Sequence, residues 1–378
     1  MTAIVHDQCS NMELSGEILE EEFSCESLSC AAHRLQLCIE EGLSVTTIAR
    51  AIGAAKKLVG HFRHSALASD ALQKRQEAMG SPQRKLQQDC PTRWNSTYYM
   101  IRSLLENRWP VTAVLSDEAV TQRKYRYLDL SSENWIVLEE LVKVLEPLEV
   151  ATVFLSKEVN VSLSAVLPII QGLVSKLDAD EDDSATIRQC KIKIAAAMRH
   201  RWALDGLDAT RVSDLATALD PRFRQLKFLT DEQRTVVKAE LIKITEELDA
   251  SSQSSDSADT PAPSPPATKR KKTAFDILLG EEEETADNTI EDELAQYFTD
   301  KVAAHDCHPL RWWEQNEFRF PNLAKVARSI LCIPATSTPS ERLFSTAGLT
   351  VTKLRNCLKP ENVDALIFLN KNYQYLSM

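Results

Sequence analysis

Glu341, Asp7, His33 and the neighbours Arg93 and Trp94 are the side chains whose type and setting suit chemistry on a metal or a phosphate. Glu341 stands in Thr338-Pro339-Ser340-Glu341, after the apolar run LAKVARSILCIPA. A carboxylate there could join others around a divalent cation. The same letters also spell a helix start, with Thr338 at N-cap, Pro339 at N1 and Glu341 closing a capping box. Asp7 follows the apolar AIVH and precedes small polar residues. An acid at the C-terminal end of a strand is where open sheets place their ligands, although Asp7 could equally cap the next helix. Cys30-Ala-Ala-His33, with Cys25 and Cys38 nearby, offers zinc donors. The spacing Cys-x4-Cys-x2-His-x4-Cys matches no ribbon or finger pattern, so the zinc reading stands on donor types alone. His61-x2-His64 and His305-x-Cys307-His308 read as surface histidines and cysteine. Trp94 beside Arg93 can be a core aromatic, or it can stack a base while the guanidinium holds a phosphate.

The elements that must position these groups are mostly helical. A short strand over Thr2–Val5 delivers Asp7, and a helix is expected from Ser10 to Glu22, with Met12, Leu14, Ile18 and Leu19 apolar. An extended piece, Ser24–Ser29, leads into a helix over Ala31–Gly42 that buries Leu35, Leu37, Cys38 and Ile39. About two hundred residues of helical periodicity follow, including Trp135–Leu155, expected to kink or break near Pro147, Ala185–Leu204 and Asp231–Leu248. From Asp249 the run SSQSSDSADTPAPSPPAT has almost nothing to bury and is expected to be a disordered linker. Lys269–Lys272 (KRKK) then fits either a nuclear-import signal or a solvated charge cluster. Structure is expected to resume near Glu291. The last helix opens at Pro360 and is expected to bury Val363, Leu366, Ile367 and Leu369.

Composition narrows the function classes. Glycine is scarce, with nine residues in 378, which favours helix over sheet. No apolar run approaches the roughly 18 residues needed to cross a bilayer, so no membrane partner is expected. Nine cysteines at irregular spacing fit free thiols better than a disulfide framework. The net charge of −11 opposes non-specific affinity for nucleic acid, yet the charge is uneven. Arg50–Arg108 holds eleven Lys/Arg against four Asp/Glu, whereas Glu281–Glu293 holds eight acids and no base.

Taken in order, HDQCSNM, SCAAHRLQLCI, DCPTRWNSTYYMIRSLLE, TALDPRFRQLKFL and the long segment from LRWWEQNEFRFP to LIFLN resemble the hobo–Activator (hAT) transposases and host proteins derived from them, including zinc finger BED proteins. The resemblance implies a chain that is mainly α with a small α/β part. It would be a partial ribonuclease H-like core, residues 1–33, split by an all-α insertion over 34–248, with a linker at 249–290. Residues 291–378 would complete the core and form the C-terminal dimerisation region. Asp7 then matches the second catalytic acid and Glu341 the third, the pair serving as divalent-metal ligands. His33 would sit near the scissile phosphate, and Trp94, with Arg93, would hold a displaced base or backbone. Leu323, Val326, Ile330, Leu331, Val363, Leu366 and Ile367 would form the dimer face. The first catalytic acid belongs on an upstream strand, so an amino-terminal truncation is expected. The chain as it stands is expected to need no cofactor, whereas a complete relative would bind magnesium. The expected protein is a nuclear homodimer with DNA as a partner and without catalysis. The alternatives are the truncated record of an active DNA transposase, or a helical scaffold with no nucleic-acid contact.

Overall fold

In a computed structural model, residues 3–23, 25–90, 92–157, 161–206, 211–255, 289–352 and 357–373 are described. Two strands, β1 (Ala3–His6) and β2 (Glu26–Ser29), pair in one sheet and flank α1 (Ser10–Phe23). A helical series follows: α2 (Ala31–Leu43), α3 (Thr46–His64), α4 (Ala66–Ala78), α5 (Trp94–Glu106), α6 (Arg108–Ser116), α7 (Ser132–Leu155), α8 (Val166–Lys176) and α9 (Ala185–Arg201). After these come α10 (Val212–Leu219), α11 (Asp231–Ser255), α12 (Ile290–Thr299), α13 (Pro309–Asn316), α14 (Pro321–Leu331), α15 (Thr338–Thr350) and α16 (Pro360–Asn372). The mainly helical expectation therefore holds, with a two-stranded sheet among the described residues. The expected KRKK and most of the acidic run lie outside them. The helix expected to end at Leu248 runs on to Ser255, into the stretch assigned to the linker.

The chain divides into two compact units. The larger holds residues 4–161, 169–205 and 335 onward. Its core is built on α2, α3, α5, α7 and α9, with Leu35, Ile39, Ile48, Leu58, Ile101, Leu104, Leu138, Leu145 and Ile194 buried. The α2 and α9 helices approach so closely at Gly42 that a Cβ there would lie 2.4 Å from Cγ1 of Ile194. Pro147 does not break α7. It removes one backbone donor, but Val144, Leu145, Leu148, Ala151 and Leu155 keep one buried stripe running through it, so packing outweighs the lost bond. The helix expected over Ser10–Glu22 forms as α1, with Leu14, Ile18 and Phe23 exposed.

The smaller unit holds residues 162–168 and 206–334. Its centre is aromatic. Tyr297 stacks on Trp313 with centroids 5.1 Å apart, and Trp312 stacks on Phe320. Arg224, 1% exposed at its side chain, lies with its guanidinium 4.8 Å from the Tyr297 ring and 5.0 Å from that of Trp312. It donates to the carbonyls of Tyr297 and Lys301, both at 2.8 Å, so the buried charge is fully hydrogen-bonded. The TALDPRFRQLKFL segment is thus a structural corner. Asp220 pairs with Arg222 and accepts from Ser164, and Arg224 fills the aromatic box. Glu293 of α12 caps α14, accepting from the Leu323 N–H at 2.8 Å where Pro321 has opened the helix. Burial pushes the Glu293 carboxyl above its usual range, against the opposing pull of the Leu323 and Asn322 hydrogen bonds.

Candidate functional site

Three chain segments far apart in sequence meet at the start of α2. The Cys30 N–H donates to the His6 carbonyl at 2.7 Å, closing the end of β1 onto Cys30. The Ala31 N–H donates to Ala335 at 3.1 Å, and the Ser337 N–H donates to the Cys30 sulfur at 3.4 Å. Thr336 is held in turn by the carbonyl of Leu155 at the end of α7. The turn before α15 is therefore pinned to α2 and α7, which brings Glu341 back towards His33.

The α5 N-terminus is fixed by a residue that motif reading passed over. Asp89 accepts from Thr97 Oγ1 at 2.5 Å and Ser96 Oγ at 3.1 Å, and pairs with Lys56 at 2.7 Å. Burial pushes its carboxyl up, but the hydrogen bonds from Lys56, Thr97 and Ser96 and the Lys56 charge outweigh this and leave it below the usual range. A sequence signal was available: an acid five residues before a helix whose first turn carries Ser and Thr.

These elements enclose a cleft of about 740 Å³. The first turns of α2 (Ala32, His33), α5 (Trp94, Asn95, Ser96) and α15 (Thr338, Glu341) line it, with Arg93, Arg342 and the end of α7. None of the three helices has a side-chain N-cap hydrogen bond, a condition they share with α3, α6, α10, α13 and α16, whereas Ser65, Ser131, Ser184 and Thr289 cap α4, α7, α9 and α12. Three positive helix ends beside two arginines and a histidine make a setting for an anion, with Glu341 as the opposing charge. Tyr99, also in the wall, donates to Glu149, and that hydrogen bond, with burial, pushes its phenol up to about 12.

The cleft thus gathers His33, Arg93, Trp94 and Glu341 from the expected site, but not Asp7. Asp7 follows β1 as expected, and its Oδ1 is buried without a hydrogen-bond partner. Trp94 is 4% exposed, and its indole N–H also lacks an acceptor. In this conformation Trp94 is a wall of the cleft and not an open stacking platform. Glu341 does not close the expected capping box. The N-cap is Ser337, one residue earlier than Thr338, and its hydroxyl donates to Glu341 at 2.9 Å. Among the described residues no three His, Cys, Asp or Glu side chains are placed to hold a metal. The expected metal pair, Asp7 and Glu341, does not line one cleft. The zinc reading of Cys25, Cys30, His33 and Cys38 meets the same obstacle. Cys38 is sealed in the core, and burial pushes its thiol up to about 12, away from a ligating thiolate.

The expected dimer face divides sharply. Leu323, Val326, Ile330 and Leu331 are the buried side of α14, part of the smaller unit's own core, and so are not surface. The C-terminal helices were expected to bury Val363, Leu366, Ile367 and Leu369. Instead neither α15 nor α16 has a buried residue: Val363 and Ile367 are half-buried, while Leu366 and Leu369 are exposed. Phe344, Leu349 and Phe368 are exposed as well.

The larger unit thus combines a cleft walled by helix starts with two C-terminal helices that have no buried residue. Residues 293–373 match the hAT family C-terminal dimerisation region, and residues 28–144 match the ZBED1 RNase-like helical domain. Zinc finger BED domain-containing protein 4 of Homo sapiens is 25% identical over 366 residues, covering 96% of this chain and 30% of that protein. The putative AC transposase of Zea mays is 25% identical over 393 residues, covering 96% of this chain and 46% of that protein. The DAYSLEEPER protein of Arabidopsis thaliana is 26% identical over 287 residues, 74% of this chain and 40% of that protein. The chain thus spans less than half the length of these relatives. It carries a hAT dimerisation region and a ZBED1-type helical domain, and its homologues are zinc finger BED proteins and hAT transposases.

Proposed function

We propose that this chain is a transposase-derived nuclear protein that self-associates through α15 and α16 and takes a nucleic-acid phosphodiester in its cleft without cleaving it. The observation that carries the dimer is the helix pair itself. Two helices of thirteen residues each that bury nothing gain little stability from each other alone. Phe344, Leu349, Phe368 and Leu369 supply the apolar anchors that a homodimer interface needs. The match of residues 293–373 to a dimerisation region supports this reading. Sedimentation equilibrium of the full chain should show a dimer at micromolar concentration, and a monomer throughout would sink the proposal.

The phosphodiester reading rests on the three uncapped helix starts with Arg93, Arg342 and His33. DNA as the partner is supported by the basic balance of Arg50–Arg108. The two strands would be a remnant of a ribonuclease H-like core. The metal-dependent cleavage reading is disfavoured by Asp7, which lies off the cleft that Glu341 lines. An active relative should lose cleavage when the residue matching Glu341 becomes Ala. The scaffold reading predicts no DNA binding even at low salt.

A further inference from the structure

The segment 81–89 has no regular secondary structure and lies on the larger unit, yet its backbone is held at several points. Gln76, fully buried, donates to the Arg84 carbonyl at 2.9 Å and accepts from the Arg84 N–H at 3.2 Å. The same amide donates to Asn107 at 2.6 Å, and Asn107 donates to the Ser103 carbonyl at 2.7 Å. Ser103 Oγ in turn accepts from the Gln87 N–H at 3.2 Å, and Asp89 locks the far end against α5. Leu86 is the one fully buried side chain of the strap. A buried polar network of this kind, satisfied at each member, fixes one backbone path.

What the network presents outward is charge. Arg84 and Lys85 stand exposed and line a groove of about 150 Å³ with Arg63 of α3, and no carboxylate lines it. Within Arg50–Arg108 other cations are taken: Lys56 by Asp89, Lys74 by Asp70, Arg75 by Asp117, Arg102 by Glu106 and Arg108 by Glu139. Arg50, Lys57, Arg63, Arg84, Lys85 and Arg93 have no ion pair among the described residues, and of these Arg63, Arg84 and Lys85 share one groove. The remaining exposed strap side chains are Pro82, Gln83, Gln87 and Gln88. The apolar residues of the groove, Phe62, Leu72 and Leu86, are almost wholly buried, so a protein partner finds few aromatic or aliphatic anchors there. Cations and amides along a fixed extended chain are what a phosphodiester backbone takes. The strap also runs directly into Cys90, which lines the cleft with Thr92, Arg93 and Trp94.

We infer that residues 81–89, with Arg63, form a sequence-independent nucleic-acid backbone contact that leads a strand into the cleft. The inference rests on the phosphodiester reading of that cleft and adds a second point of contact. Fluorescence anisotropy of the full chain with a labelled DNA duplex, titrated across salt, tests it. Arg84→Gln with Lys85→Gln should weaken binding at low salt by about tenfold or more and flatten the salt slope by about 2. The thermal midpoint should not move, because both side chains are exposed. Lys74→Gln, in the same basic stretch but already ion-paired, should change the slope far less. If wild type binds and the double variant keeps its slope, the strap assignment is wrong while the cleft reading stands. If wild type shows no binding at low salt, both fall.

Discussion

Within residues 293–373 two sets of helices with similar apolar content meet opposite fates. The α12–α14 set spends its apolar side chains inside the protomer, around Tyr297, Trp313 and Phe320. The α15–α16 pair buries none. A single matched region therefore divides into a part that holds the fold and a part left over for contact. Hydrophobic pattern does not distinguish the two, because an interface and a core make the same demand on periodicity.

The sharpest way to break this contrast is to exchange the consequences. Leu323→Ala should destabilise the protomer by about 2–5 kcal/mol in denaturant unfolding, the usual range for a large-to-small change in a core. If it dissociated the dimer and left protomer stability alone, α14 would be an interface after all. Phe344→Asp combined with Phe368→Asp should do the converse. Self-association measured by sedimentation should weaken by about 100-fold or more, with the folded far-ultraviolet spectrum retained.

A finer test lies at the cap that ties α12 to α14. Glu293→Ala should cost about 1 kcal/mol, and Glu293→Gln less, since an amide oxygen can still accept from Leu323. Because the Glu293 pKa is raised in the fold, its contribution is full below the ordinary glutamate pKa and is lost as pH rises through the raised value. The deficit of Glu293→Gln should therefore shrink between about pH 4 and neutrality. The smallest effect concerns the cleft that α15 also lines. Asp89 is depressed, so its stabilisation is present above the ordinary aspartate pKa and fades as pH falls through the folded value. Asp89→Asn should flatten that acid limb of the denaturant midpoint, and an unchanged limb would remove Asp89 as the clamp on α5.

Much of the helical layout was legible because apolar spacing of three and four residues reports helices wherever one face is buried. The meeting of Glu341 with His33 was legible only from the joint order of several motifs, since no local signal encodes a contact between distant segments. Pro147 misled because a buried stripe on both sides outweighs one missing donor. The exposure of Leu14 and Ile18 was not legible, because α1 meets the sheet through Gly16, where a Cβ would fall 2.2 Å from Ser27 Oγ. The local half of the Asp89 clamp, to Ser96 and Thr97, was legible from spacing, whereas its pairing with Lys56 on α3 was not, because no spacing rule connects the two.

The Cys30–Ser337 hydrogen bond spans 307 positions of sequence, and Thr336 reaches Leu155 across 181. Contacts of that separation form late, because the chain between them must first be ordered. During synthesis, the wall made by α2, α5 and α7 emerges long before the turn that closes it. A chain extended only as far as α14 therefore has that wall without the turn and α15 that close it. A carboxy-terminally shortened product would keep the basic strap but lack the far wall, a half-built receptor with its charge already on display.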